Sequence, residues 1–146
     1  MSTLEQLEAM GLNLLEKQVK DKNFSIEKVG QLYEMGYHHF KSGDYQKAKS
    51  IFVLVTSLSP FYADAVLSLG LCHFRLKDYL SAKRAFEVFC VLKSSQPEGY
   101  LYLGYCHLEI NEADEAYEKL QKALSLMNPS HKDYEKTQLI CERISL

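Results

Sequence analysis

Apolar residues near the start of the chain return at helical spacing, with Leu4, Leu7, Leu14 and Leu15, and then Val19, falling along one stripe. Ser2 and Glu5 stand at the separation of a capping box, so a first amphipathic helix is predicted within residues 1–24. Asp21-Lys22-Asn23 interrupts it, and Ser25 is placed to cap the helix that follows. Beyond that point the large and small apolar positions recur at a fixed step. Gly36, Gly70 and Gly104 lie 34 residues apart, as do Ala48, Ala82 and Ala116, and His39, His73 and His107. Phe52 and Phe86 keep the same step, with Leu120 in the third place. A gapless period of this length predicts an all-α solenoid, in which each helix pair buries its apolar face against the next pair.

The residues at these positions resemble the tetratricopeptide repeat: a large residue, Leu-Gly and a bulky ring in the first helix, then Ala and Phe in the second, then Pro. Repeat one reads Leu32, Met35, Gly36, His39, Ala48, Phe52 and Pro60. Repeat two reads Val66, Leu69, Gly70, His73, Ala82 and Phe86, with Ser94 where Pro would fall. Repeat three reads Tyr100, Leu103, Gly104, His107, Ala116 and Leu120, and its Pro129 comes one residue late. The repeats are set at 29–62, 63–96 and 97–130, within a repeat region of 25–129. Gly and Ala are small where helices come within about 8–10 Å of one another. In the turn Ser42-Gly43-Asp44-Tyr45, Gly43 permits a left-handed exit and Asp44 caps the next helix, a device that Asp78 repeats. A last helix over 131–144, with Tyr134, Leu139 and Ile140 turned inward, would cover the open face of the third repeat within a terminal cap of 130–146. About eight helices are expected in all.

The same resemblance implies which side chains line the concave groove of the array. They are Tyr33, Tyr37, Phe40 and Lys41 in repeat one, and Asp64, Leu67, Leu71, Phe74 and Arg75 in repeat two. Repeat three supplies Glu98, Leu101, Tyr105, Leu108 and Glu109. Nine of these fourteen are apolar or aromatic, so the first helices carry a second apolar face. Such a stripe binds a ligand, or else another helix of the chain or a second copy covers it permanently. Repeat proteins that clamp a C-terminal carboxylate resemble one another in placing Lys and Asn in the groove. Here Tyr33, Tyr37, Leu67 and Leu71 stand there instead. An extended segment with apolar anchors, spaced by prolines that lower its ordering cost, suits this surface better.

Composition narrows the function further. The chain is 47% hydrophobic and 25% charged with a net charge of -2, which suits a folded domain and lacks the basic excess of a nucleic-acid binder. No stretch approaches 18 apolar residues and no secretory signal is seen, so neither export nor stable membrane insertion is expected. Cys72, Cys90, Cys106 and Cys141 form no Cys-x-x-Cys pair and read as buried free thiols in a reducing cytosol. The three repeat histidines cannot share a metal, because copies a helix spacing apart cannot approach one ion at about 2 Å. Cys72 and Cys106 each precede a histidine, but neighbours on a helix point about 100° apart and cannot pair. The glycines are spaced for packing, not as a phosphate loop. His38 is expected in solvent and His131 at the start of the last helix, while Glu112, Asp114, Glu115 and Glu118 read as a solvated N-terminal turn. The expectation is a binding protein without catalytic residues, metal or cofactor.

Within the repeat family, the chain resembles the small bacterial chaperones of type III secretion translocators, the low-calcium-response class. The likeness rests on three repeats framed by terminal helices and on the run from Leu32 to Tyr45, followed by Ala48 and Ile51-Phe52. Leu67-Ser68-Leu69-Gly70-Leu71-Cys72 and Cys106 share it. The resemblance implies a cytosolic chaperone whose groove takes an extended motif with Pro and Leu anchors, and a homodimer supported by the N-terminal helix with Leu4, Leu7, Leu14 and Leu15. Ala113 departs from the family's aromatic after the third turn, which leaves open a chaperone of helical needle-type subunits. A scaffold within a stable multiprotein assembly is the other alternative.

Overall fold

The computed structural model describes residues 26–145, which form seven α-helices: α1 (Ile26–Lys41), α2 (Tyr45–Leu58), α3 (Ala63–Arg75), α4 (Tyr79–Leu92), α5 (Pro97–Glu109), α6 (Ala113–Leu126) and α7 (Tyr134–Ile144). The segment carrying Leu4, Leu7, Leu14 and Leu15, and the cap expected at Ser25, lie outside the described residues. Each helix packs on its chain neighbours, and α1 also touches α3, as expected when helix pairs stack one on the next.

The repeat's small and large residues meet as the period predicts. Phe52, Phe86 and Leu120 are wholly buried, as are Ala48, Ala82 and Ala116. Each large side chain lies against the glycine of the helix before it. A Cβ added at Gly36 would stand 2.8 Å from the Phe52 ring, and one at Gly70 would stand 2.6 Å from the Phe86 ring. The two helices of a pair can approach this closely because no side chain intervenes.

The three turns inside the pairs are built alike. The N–H groups of Asp44, Asp78 and Glu112 donate to the carbonyls of His39, His73 and His107 at 2.9, 2.9 and 2.8 Å. The residue before each acid takes a left-handed conformation: Gly43 at φ 84°, Lys77 at φ 63° and Asn111 at φ 62°. Asp44 and Asp78 cap as expected, accepting the N–H of Lys47 and of Ser81 at 3.3 Å. Glu112 makes no such cap. Its longer side chain reaches back instead, placing Oε1 3.5 Å from His107 Nδ1 and 3.8 Å from Lys83 Nζ. The reading of Glu112 as part of a solvated turn is therefore corrected.

A second correction concerns the last helix. Tyr134 and Ile140 pack inward, but Leu139 is 48% exposed. Thr137, Cys141 and Ile144 complete the inner face. That stripe advances by three and four residues, and Leu139 falls off it by about 100° from Ile140. Thr137 is accepted in the core because its hydroxyl donates to the Asp133 carbonyl at 2.6 Å.

Candidate functional site

The exposed faces of α1, α3 and α5 carry a connected series of rings. Tyr33 stacks on Tyr37 at 6.1 Å, Tyr37 on Phe40 at 6.4 Å, and Phe40 meets the edge of Tyr45 at 5.4 Å. Tyr33 is the wall of this first half: it also stacks on Tyr62 at 5.1 Å and is hydrogen-bonded to Ser68 of α3. Burial pushes the Tyr33 phenol up from its ordinary value. Tyr37, 39% exposed, is the ring most open to a ligand, and Lys41 lies over it at 5.6 Å. Phe40 is half-buried against the core of the first pair.

The second half is a cleft of about 360 Å³. Leu71, Phe74 and Arg75 of α3 form one side, and Leu101, Tyr102, Tyr105, Leu108 and Glu109 of α5 form the other. Asp133 and Lys136 close its end. Phe74 sits at the centre, 5.4 Å from Tyr79 and 6.5 Å from both Tyr102 and Tyr105. Leu101 is the floor: it is 3% exposed and packs into the core of the third pair. Leu67 is half-buried beside Leu71 on the core of the second pair and does not line the cleft. Arg75 bridges the two halves, its guanidinium 5.9 Å from the Tyr45 ring. Asp64 is exposed and Glu98 half-exposed, both in the first turns of their helices.

Four residues of this site fall outside the repeat pattern. Tyr102 occupies the place held by Ser68 one repeat earlier, and stacks on Phe86 at 5.4 Å. The extra aromatic in the third copy was a readable signal. Asp133, Lys136 and Thr137 come from the terminal cap, to which a 34-residue template does not extend. Thr137 is hydrogen-bonded to Tyr105, and Lys136 lies over the same ring at 5.6 Å, so α7 is tied directly to the groove.

The remaining chemistry-bearing groups serve packing. Burial pushes the thiols of Cys72 and Cys106 up to about 12 and that of Cys90 to about 11, so none is a ready nucleophile. Among the described residues no three His, Cys, Asp or Glu side chains gather as a metal site. No described helix is long and apolar enough to cross a membrane. A larger depression, about 470 Å³, lies between α6 and α7, with Tyr117, Gln121, Gln138 and Glu142 on its polar rim. It contains none of the groove residues.

His73 and His107 have buried Nδ1 atoms without a hydrogen-bond partner, 3.7 Å from Asp78 and 3.5 Å from Glu112. For His73, burial lowers the affinity for a proton more than Asp78 raises it, and Lys49 lowers it further. The unfolded chain then takes up the proton first as pH falls, so stability is retained above about pH 6.5 and declines below it. Thermal melts from pH 7.5 to 5.5 should show a falling midpoint, and His73→Gln should flatten that slope. Asp78 does not confuse the reading, because its hydrogen bonds to Ser81 hold its titration below the ordinary carboxylate range. An identical slope in the variant would reject the assignment.

Two sequence models of the tetratricopeptide repeat match the chain, one over residues 33–97 and one over residues 98–126. No curated protein matches it in sequence. Among solved structures, PcrH in complex with the chaperone-binding region of PopD superposes with a TM-score of 0.78 at 23% identity, over 84% of this chain and 94% of that one. PcrH is a protein of Pseudomonas aeruginosa. The type III secretion translocator chaperone SycD of Yersinia enterocolitica gives 0.78 at 22% identity, over 84% and 86%. SycD bound to a peptide of the translocator YopD gives 0.78 at 23%, over 83% and 95%. At these identities the likeness is one of fold. The helix pairs α1–α2, α3–α4 and α5–α6, the glycine contacts that close them, and repeat models spanning more than half the sequence agree, and the chain belongs to the tetratricopeptide repeat family.

Proposed function

We propose that this chain is a chaperone that holds an extended apolar segment of a type III secretion translocator-type client in its concave groove. The observation that carries the reading is the pair of aromatic clusters, one around Tyr37 and one in the cleft around Phe74, bridged by Arg75. It lies on a fold that, in PcrH, accompanies the chaperone-binding region of PopD and, in SycD, a peptide of YopD. The ligand-contacting set is Tyr33, Tyr37, Phe40, Lys41, Leu71, Phe74, Arg75, Leu101, Tyr105 and Leu108, with Leu101 acting as floor and Leu67 backing Leu71 from the core. The protein works in the bacterial cytosol, by binding and without catalysis, and as a homodimer of the kind SycD forms.

Three buried anchors would contribute roughly 5–9 kcal/mol, at about 1.5–3 each. Ordering a flexible segment offsets about 2–5 kcal/mol of this. The isolated motif should then bind no better than the micromolar range. Tyr37→Ala with Leu71→Ala removes one contact from each half of the groove. Fluorescence anisotropy with a labelled, proline-spaced leucine peptide should show affinity reduced about 30-fold or more, at roughly 1 kcal/mol or more per anchor. Circular dichroism should show helicity retained. Undiminished binding by the double variant would move the ligand to another surface.

A further inference from the structure

Three exposed cations lie about the groove, each over an aromatic ring of its wall: Lys41 over Tyr37, Arg75 over Tyr45 and Lys136 over Tyr105. We propose that these three cations select client segments that carry carboxylates beside their apolar anchors. The inference rests on the groove being the client site. It adds a charge requirement to an apolar one.

The helix dipole explains part of this set and fails at its third member. Lys41 and Arg75 close α1 and α3, where the partial negative charge of a helix end favours a cation. By that logic α5 should also end on a cation, yet it ends on Glu109. The third positive charge comes instead from Lys136, in the first turn of α7, where the dipole opposes it. A place over a tyrosine ring of the groove, and not helix chemistry, is what the three share.

Two acids, Glu109 and Asp133, line the same cleft as Arg75 and Lys136 but pair with neither; Asp133 faces His131 at 3.9 Å instead. Among the described residues, Lys41, Arg75 and Lys136 form no ion pair with a carboxylate and are exposed above their rings. A cation held over a tyrosine face keeps its charge and is already positioned, so less side-chain freedom is lost when a carboxylate arrives. Asp64 and Glu98 stand at the opposite helix ends, which sets the orientation: acids of the client turn away from them.

The test uses the full chain and three labelled peptides with the same leucine anchors and prolines, bearing Asp, Asn or Lys at the flanking positions. In low salt the Asp peptide should bind about three- to tenfold tighter than the Asn peptide, and the Lys peptide more weakly than both. The Asp advantage should shrink in 0.5 M salt, where charges at this range are screened. Lys41→Gln with Arg75→Gln and Lys136→Gln should bring the Asp-to-Asn affinity ratio close to one, whereas Lys41→Arg with Arg75→Lys and Lys136→Arg should preserve it. Equal binding of Asp and Asn peptides by the unaltered chain overturns the inference and leaves the apolar groove standing. A preference for Lys overturns it as well. Failure of all three peptides to bind removes the groove reading and this inference together.

Discussion

Gly70→Leu is expected to lower the thermal midpoint by roughly 10 °C or more, or to prevent folding. A Cβ at position 70 would already stand 2.6 Å from Phe86 Cε1, 2.8 Å from Cδ1 and 3.0 Å from Cζ. The ring cannot yield easily, because Phe86 is wholly buried between its own helix and Leu103 and Cys106 of α5. The rest of the Leu side chain must then displace helix α4, which the next repeat also holds. Overpacking of this kind costs about 1–3 kcal/mol, and a contact this close sits at or above the upper end. A smaller partner would not remove the need for glycine. Repeat three sets Gly104 against Leu120, and there a Cβ would approach to 2.5 Å. Gly30 supplies the control: a Cβ there meets nothing within 4 Å among the described residues, so Gly30→Leu should leave the melt unchanged or raise it slightly. Two variants with similar midpoints would refute the close-packing account.

The glycine contacts were legible because the same demand recurs at equal spacing, so three copies of one small residue against one large residue report one geometry. The caps at Asp44 and Asp78 were legible for the same reason. What escaped was substitution within the template. Lys77 and Asn111 adopt the left-handed turn that Gly43 makes easily, held there by the backbone bonds on either side. Glu112 fills the cap position of the third turn but has one methylene more than Asp, which carries its carboxylate past the helix end toward His107. The groove shows the same division. The repeat resemblance extends to positions inside the period, such as Phe74, which lines the cleft; Asp133 and Lys136 come from a helix that occurs once, and nothing in a 34-residue pattern can place them. Leu139 was misread because a short helix has too few turns to separate a three-four stripe from a neighbouring apolar residue.

Truncation after Ser130 is expected to be strongly damaging, because α7 covers the apolar face of the third helix pair. Leu120 and Ala123 of α6 and Met127 just beyond it form one buried cluster with Leu101 and Cys141, and Tyr134, Ile140 and Ile144 lie over it. Removing α7 loses the burial of four large or medium side chains, about 1–2 kcal/mol each and roughly 4–8 kcal/mol together. A domain's whole stability is about 5–15 kcal/mol. The ordering cost of α7 disappears with it, but the uncovered face of α5 and α6 does not, and that face drives association. The truncated chain should bind a hydrophobic dye, melt at least 10 °C lower and aggregate on warming. It should also lose the groove's closed end, since Tyr105 would be without both Thr137 and Lys136. Leu139→Ser in the intact chain separates cover from mere length: the side chain points outward, so its melt should move by no more than about 2 °C. A soluble truncation product with an unchanged midpoint would show that the third repeat closes its own core, and that α7 belongs to the groove alone.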